Sequence, residues 1–183
     1  ESDLSVDPPF RRIVSSAGVG AGPGLFLPAG IRLDGERLLV VQNNAGHGEL
    51  LAVELASGDR TMLSSATQGS GPAFGLIYDL VLDAAGAQAY VVDNTLDAVV
   101  RVNLANGNRT LVSGGSNPTV GSGPALSYPH ALVWRTTDSE LWVADQNLHG
   151  LVRVDLATGD RELAVDAADQ LGLDDHAGVE LAC

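Results

Sequence analysis

Three short markers recur along this chain in step, and that recurrence limits the possible folds more than any other feature. A glycine-proline loop reads GAGPGLF from Gly20, GSGPAFG from Gly69 and GSGPALS from Gly121. Its central glycines, Gly22, Gly71 and Gly123, are spaced 49 and 52 residues apart. A turn reads LASGDR ending at Arg60, LANGNR ending at Arg109 and LATGDR ending at Arg161. An apolar run closes on a polar residue at Gln42 (LLVVQ), Asp93 (AYVVD) and Asp145 (LWVAD). Three unrelated markers that advance together define a tandem repeat of about fifty residues. A phosphate-binding glycine loop is expected once, ahead of a helix N-terminus. A loop that returns three times, each time ahead of a strand, reads as a connector instead.

Within a repeat the hydrophobic period is that of strands. In the last full unit, HALVW (His130–Trp134) and ELWVAD (Glu140–Asp145) are short apolar runs. LVRVDL (Leu151–Leu156) alternates, and RELAV (Arg161–Val165) follows a Thr-Gly-Asp turn that needs positive φ. Four antiparallel strands repeated at this spacing predict an all-β fold, a β-propeller built from four-stranded antiparallel blades. Residues 1–10 read as an N-terminal extension, and 11–183 as a partial propeller. Complete blades are expected at about 27–64, 77–114 and 129–165, with lone strands at 11–16 (RRIVSS) and 176–182 (HAGVELA). Closing a ring takes roughly four blades or more, so this ring is incomplete. Apolar blade faces and a sheet edge are left open, which predicts either a longer chain or copies that complete one another edge to edge.

Composition narrows the partners. Ten arginines, no lysine and 23 acidic residues give a net charge of −13. That balance argues against nucleic acid, whose backbone is bound through basic patches, and against an anionic membrane surface. No apolar run approaches the roughly 18 residues of a membrane span. The one cysteine, Cys183, is the last residue, so there is no internal disulfide and no thiolate metal cluster. An acidic, lysine-free chain fits an extracellular or periplasmic setting, where its partner would be another protein or copies of itself.

The run YPHALVW…ELWVAD…GLVRVDLATGD resembles the NHL and SMP-30/gluconolactonase-like group of propellers. That resemblance covers residues 11–183 and implies six blades. Its motifs specify the fold and say little about activity, since the architecture hosts many functions.

In such a ring the starts of the inner strands surround the mouth of the central channel, where ligands are commonly bound. Alignment of the repeats puts Ala29, Tyr78, His130 and His176 at this one position. Asp93 and Asp145 close the neighbouring strands on the same face, with Gln42 in their place in the first unit. Tyr78, His130, His176, Asp93 and Asp145 are therefore the candidate ligand-binding residues. His130 and His176 are candidate metal ligands, since imidazoles converging from adjacent blades could hold a divalent ion such as zinc or calcium. Peptidyl-amidating lyases of similar fold take zinc ligands from a Pro-His-hydrophobic strand start, which His130 matches; His176 keeps only the histidine. The calcium-dependent lactonases begin these strands with Asn-Gly or Asp-Gly, a pattern missing here. For Asp93 and Asp145 a structural alternative is explicit: they accept hydrogen bonds from backbone amides and fix the turn. Two functions follow as expectations. One is a non-catalytic module for partner binding or self-assembly; the other is a metal-dependent hydrolase or lyase with its site at the channel mouth.

Overall fold

The computed structural model describes residues 12–135 and 139–165. Twelve strands form three sheets. The first holds β1 (Pro28–Asp34), β2 (Arg37–Asn44), β3 (His47–Glu54) and β4 (Arg60–Ser64). The second holds β5 (Ile77–Leu82), β6 (Gln88–Asp93), β7 (Ala98–Asn103) and β8 (Arg109–Gly114). The third holds β9 (Pro129–Arg135), β10 (Glu140–Asp145), β11 (Gly150–Asp155) and β12 (Arg161–Val165). Each sheet is a four-stranded antiparallel meander in chain order, and none closes on itself. No helix occurs among the described residues. Of the strand expected at 11–16, the described part carries only an isolated bridge between Ser16 and Val19. The strand expected at 176–182 lies outside the described residues.

The sheets stack face to face and approach most closely along β1, β5 and β9. Side chains alternate across a strand, so the two faces of the second sheet meet different partners. Leu39, Val41, Leu50 and Ala52 of the first sheet pack against Leu80, Ala89, Val91, Val100 and Val102 of the second. The other face of the second sheet, with Val81, Tyr90, Val92 and Val99, packs on Leu132, Leu141, Val143, Val152 and Val154 of the third. Trp134 joins this layer, its ring 5.1 Å from that of Tyr90. The second interface therefore repeats the first, one sheet further on, at most positions, with Val91, Val100 and Val102 answered by Val143, Val152 and Val154.

The loops between sheets are locked by three buried arginines. Arg60, Arg109 and Arg161, the last residues of the repeated turns, are each only 7% exposed. Arg109 donates from Nε to the Pro72 carbonyl at 2.7 Å. Its Nη1 donates to Ser64 Oγ at 2.6 Å and to the carbonyls of Ser65 and Gln68 at 2.9 and 3.0 Å. Arg161 makes the same set with Pro124, Ser113 and Val120, and Arg60 with Pro23, Ser15, Ser16 and Val19. The serine reached by each arginine in turn donates to a turn glycine carbonyl, as Ser64 does to Gly107 at 2.8 Å and Ser113 to Gly159 at 2.6 Å. Among the described residues no carboxylate hydrogen-bonds these guanidinium groups; neutral oxygens satisfy a charge that the fork-shaped guanidinium spreads over several directions.

The glycine-proline loop is shaped by this clasp. Gly71 has φ +104°, and a Cβ there would fall 2.0 Å from the Arg109 carbonyl oxygen; Gly22 and Gly123 repeat the geometry against Arg60 and Arg161. A side chain would collide with the backbone it must touch. Beside each clasp, Asp59 accepts from the Ala21 amide, Asn108 from the Ser70 amide and Asp160 from the Ser122 amide.

Arg109→Ala is expected to lower the unfolding free energy by roughly 3 kcal/mol or more, because four acceptors lose a charged donor. Arg109→Lys should recover only part of it, since one ammonium cannot span the same acceptors; urea denaturation reads both. Asp160 is held below the ordinary carboxylate range, first by the Ser122 amide and then by its hydroxyl. A depressed folded value means that stability is present above the unfolded pKa and is lost as pH falls through the folded one. Asp160→Asn, which copies Asn108, should match the parent at neutral pH and show a shallower acid loss in thermal melts.

Candidate functional site

All three inner strands open on the same irregularity. The ladder pairs Pro28 with Gln42 and Gly30 with Val41, Ile77 with Asp93 and Asp79 with Val92, and Pro129 with Asp145 and Ala131 with Ala144. The residue passed over is Ala29, Tyr78 or His130. The aligned candidate position is thus a β-bulge, which removes its residue from the ladder and re-aims its side chain.

Two of these bulge side chains meet. The ring of Tyr78 lies 4.5 Å from the imidazole of His130, and Tyr128 completes a trio with centroids 6.1 Å from Tyr78 and 6.3 Å from His130. His130 is exposed, Tyr128 is 37% exposed and Tyr78 is half-buried. The Tyr78 phenol is shifted above the ordinary tyrosine range, chiefly by its hydrogen bond with Tyr128 and then by burial. Tyr128 stands at φ +68°, a costly conformation for a non-glycine residue. Two hydrogen bonds anchor it: its amide donates to Asp97 Oδ1 at 3.0 Å, and its carbonyl accepts from the Gln146 amide at 3.1 Å. Repeat alignment alone does not single out Tyr128, whose counterparts are Leu27 and Leu76; only its place beside His130 in YPH marks it.

The carboxylates are buried and held by backbone amides. Asp93 is fully buried and accepts from the amides of Gly75, Thr95 and Leu96 at 2.8, 3.0 and 3.0 Å. Burial raises its pKa, and the three amides oppose that shift. Asp145 accepts from Ser127 and Leu148 at 2.7 and 3.1 Å, and Gln42 takes the Phe26 amide at 2.9 Å. These residues tie the loop ahead of an inner strand to the end of its neighbour, the structural role weighed for them.

Neighbouring inner strands are also cross-linked. Asn43 donates to the Ile77 carbonyl and accepts its amide, both at 2.9 Å. One sheet on, the counterpart of Asn43 is Asn94 and that of Ile77 is Pro129, which has no N–H. Asn94 Nδ2 is buried without a hydrogen-bond partner among the described residues. Asp79 joins all three sheets, pairing with Arg32 at 3.0 Å and accepting from the Leu132 amide at 3.2 Å.

A zinc site needs about four donors in tetrahedral array. Among the described residues no three of His, Cys, Asp and Glu gather to hold a metal. His130 has rings as its closest companions, and His176 lies outside the described residues.

No protein-family model and no curated protein matches the sequence. Solved structures do match. In a nidogen/laminin complex the match has 22% identity and a TM-score of 0.62, covering 80% of this chain and 50% of the other. Hydrazine synthase of Kuenenia stuttgartiensis gives 15% identity and a TM-score of 0.53 over 80% of this chain and 38% of the other. The extracellular domain of a hybrid two-component system from B. thetaiotaomicron gives 14% and 0.57, over 82% and 19%. The fold is that of a β-propeller. Each sheet is a blade, and this chain spans half or less of the length of those structures. No helix among the described residues is long and apolar enough to cross a membrane.

Asp93→Asn leaves one carbonyl oxygen where two carboxylate oxygens hold three amides. The propeller should lose about 1–3 kcal/mol in urea unfolding.

Proposed function

We propose that this propeller is a non-catalytic extracellular or periplasmic module that binds a protein partner at its channel mouth. The observation that carries this reading is the Tyr78–Tyr128–His130 trio. Bulged and strained backbone presents three rings together at one end of the inner strands. Tyrosines anchor protein interfaces because they offer large contact area with a polar tip at small conformational cost. Asp93 and Asp145 are engaged by backbone amides, so the mouth offers contact surface rather than acid-base machinery. A six-bladed ring of the NHL-like kind agrees with three blades matching half of the nidogen/laminin chain.

Tyr78→Ala combined with Tyr128→Ala is expected to abolish capture of a partner by the immobilised chain from its own extracytoplasmic proteins, while circular dichroism stays unchanged. Equal capture by parent and variant would refute the mouth as the binding surface. The second reading, a metal-dependent hydrolase or lyase, draws on the exposed His130 at a bulge and requires His176 beside it. Calorimetric titration with zinc decides it. The binding reading predicts no saturable heat that His130→Ala removes, and a saturable site lost in both His130→Ala and His176→Ala would install the metal reading.

A further inference from the structure

The hairpin corner at the outer end of a blade recurs, and in the second blade its charges have been exchanged. In the third blade a groove of about 290 Å³ has Glu140, Arg153, Asp155, Thr158, Asp160 and Glu162 in its lining. Arg153 is neutralised there, by Glu140 at 3.4 Å and by Glu162. The second blade has the same groove, of about 370 Å³, lined by Gln88, Arg101, Asn103, Asn106, Asn108 and Thr110. The ladders put the two sets in register. Gln88 pairs with Asn103 as Glu140 does with Asp155, and Arg101 pairs with Thr110 as Arg153 does with Glu162. Asn108 precedes its clasp arginine as Asp160 does. Four acids have thus become neutral hydrogen-bonding residues around an arginine that stays. In the first blade Ala52 holds the place of that arginine.

The turn itself does not require the exchange. Asp155 and Asp160 accept the amides of Ala157 and Ser122, both at 2.7 Å. Asn103 and Asn108 accept those of Ala105 and Ser70, both at 2.9 Å, and Asn106 accepts that of Asn108 at 2.9 Å. A backbone N–H can only donate, so it holds each side-chain oxygen in the turn and leaves each Nδ2 as a spare donor. Among the described residues no acceptor engages these Nδ2 groups. Arg101 is exposed and hydrogen-bonds the Tyr90 hydroxyl. Among the described residues no carboxylate forms an ion pair with it. Asp83 acts on the same hydroxyl from the turn after β5, but its Oδ1 is held by the amides of Ala87 and Gln88 at 2.8 and 3.0 Å.

We infer that this groove is a binding site for an oxyanion, a carboxylate, sulfate or phosphate group carried by a small ligand. Arg101 is its counter-charge, and the side-chain amides of Gln88, Asn103, Asn106 and Asn108 are its donors. The guanidinium fork matches two oxygens of such a group at once. A chain of net charge −13 can hold an anion only where its own acids are withdrawn, and here they are. At physiological ionic strength the rest of the acidic surface is screened beyond roughly 8 Å. The groove lies at the end of β7 away from Asp93, so the inference is independent of the mouth as a binding surface.

The test is a nitrogen-15 NMR titration of the full chain with sodium sulfate, sodium phosphate and sodium glucuronate at constant ionic strength. Glucose serves as the neutral control. Saturable shifts are expected at Arg101 Nε and at the Nδ2 groups of Asn103, Asn106 and Asn108, with none at Arg153. The anion that saturates at the lowest concentration identifies the group the site takes. Arg101→Gln should weaken binding about tenfold or more, and Gln88→Glu with Thr110→Glu, which copies the third blade, should abolish it. Shifts that stay linear in all three anions, that glucose reproduces, or that Arg101→Gln leaves unchanged would overturn the inference. If these variants do not fold, the reverse exchange decides in a chain whose second blade is untouched. Glu140→Gln with Glu162→Thr should create a second saturable site at Arg153, and its absence would overturn the inference.

Discussion

The structure depends on a buried guanidinium. Antiparallel meanders satisfy their own backbone, but the segments that carry the chain from one blade to the next have no ladder to join. Their carbonyls at Ser65 and Pro72 take their donor from Arg109, which also reaches the Gln68 carbonyl. Arg109 gathers them around one group that cannot lose its charge in a protein, and Arg60 and Arg161 do the same at the other junctions. The blade faces supply the apolar contact, and the clasp sets the angle at which one blade follows another.

Much of this was legible because a repeat states each rule three times. The glycine-proline loop was readable as a connector from its recurrence, and the strands β10 and β12 fall at Glu140–Asp145 and Arg161–Val165 as the alternation of apolar residues predicts. The reason for the glycines was not legible. It lies in a backbone contact with an arginine carbonyl about forty residues downstream, such as Gly71 on Arg109. Nor does an arginine at the end of an exposed-looking turn announce that it is buried, since the turn pattern specifies φ angles and leaves the direction of the side chain open.

The mouth was legible as a position and not as a geometry. Alignment put Ala29, Tyr78 and His130 together, but a bulge leaves no mark on hydrophobic periodicity, because the skipped residue simply continues an apolar run. Tyr128 was hidden for a related reason. A residue before proline is expected in the extended region, yet Tyr128 stands at positive φ, anchored by hydrogen bonds from its amide and to its carbonyl. Those bonds involve Asp97 and Gln146, the latter in the third blade and the former in the second, so no local window contains the cause.

Shape and the proposed binding surface are therefore divided between what repeats and what does not. The clasp, the loop glycines and the strand-end acceptors recur because any blade needs them to meet its neighbour. The three bulges recur as well, yet they carry alanine, tyrosine and histidine in turn. A bulge withdraws its residue from cross-strand pairing, so the side chain there is free of the packing rule that fixes its neighbours. The mouth can then vary from blade to blade without disturbing the stack. The orphaned Asn94 shows the limit of that freedom: substituting Pro129 for the amide donor found at Ile77 fixes the start of β9 but removes the bond that Asn43 makes one blade earlier. The strand start that presents His130 is thus held by proline ring geometry and by Tyr128 rather than by its neighbour's amide side chain, and the aromatic trio occurs at the one junction where that exchange has been made.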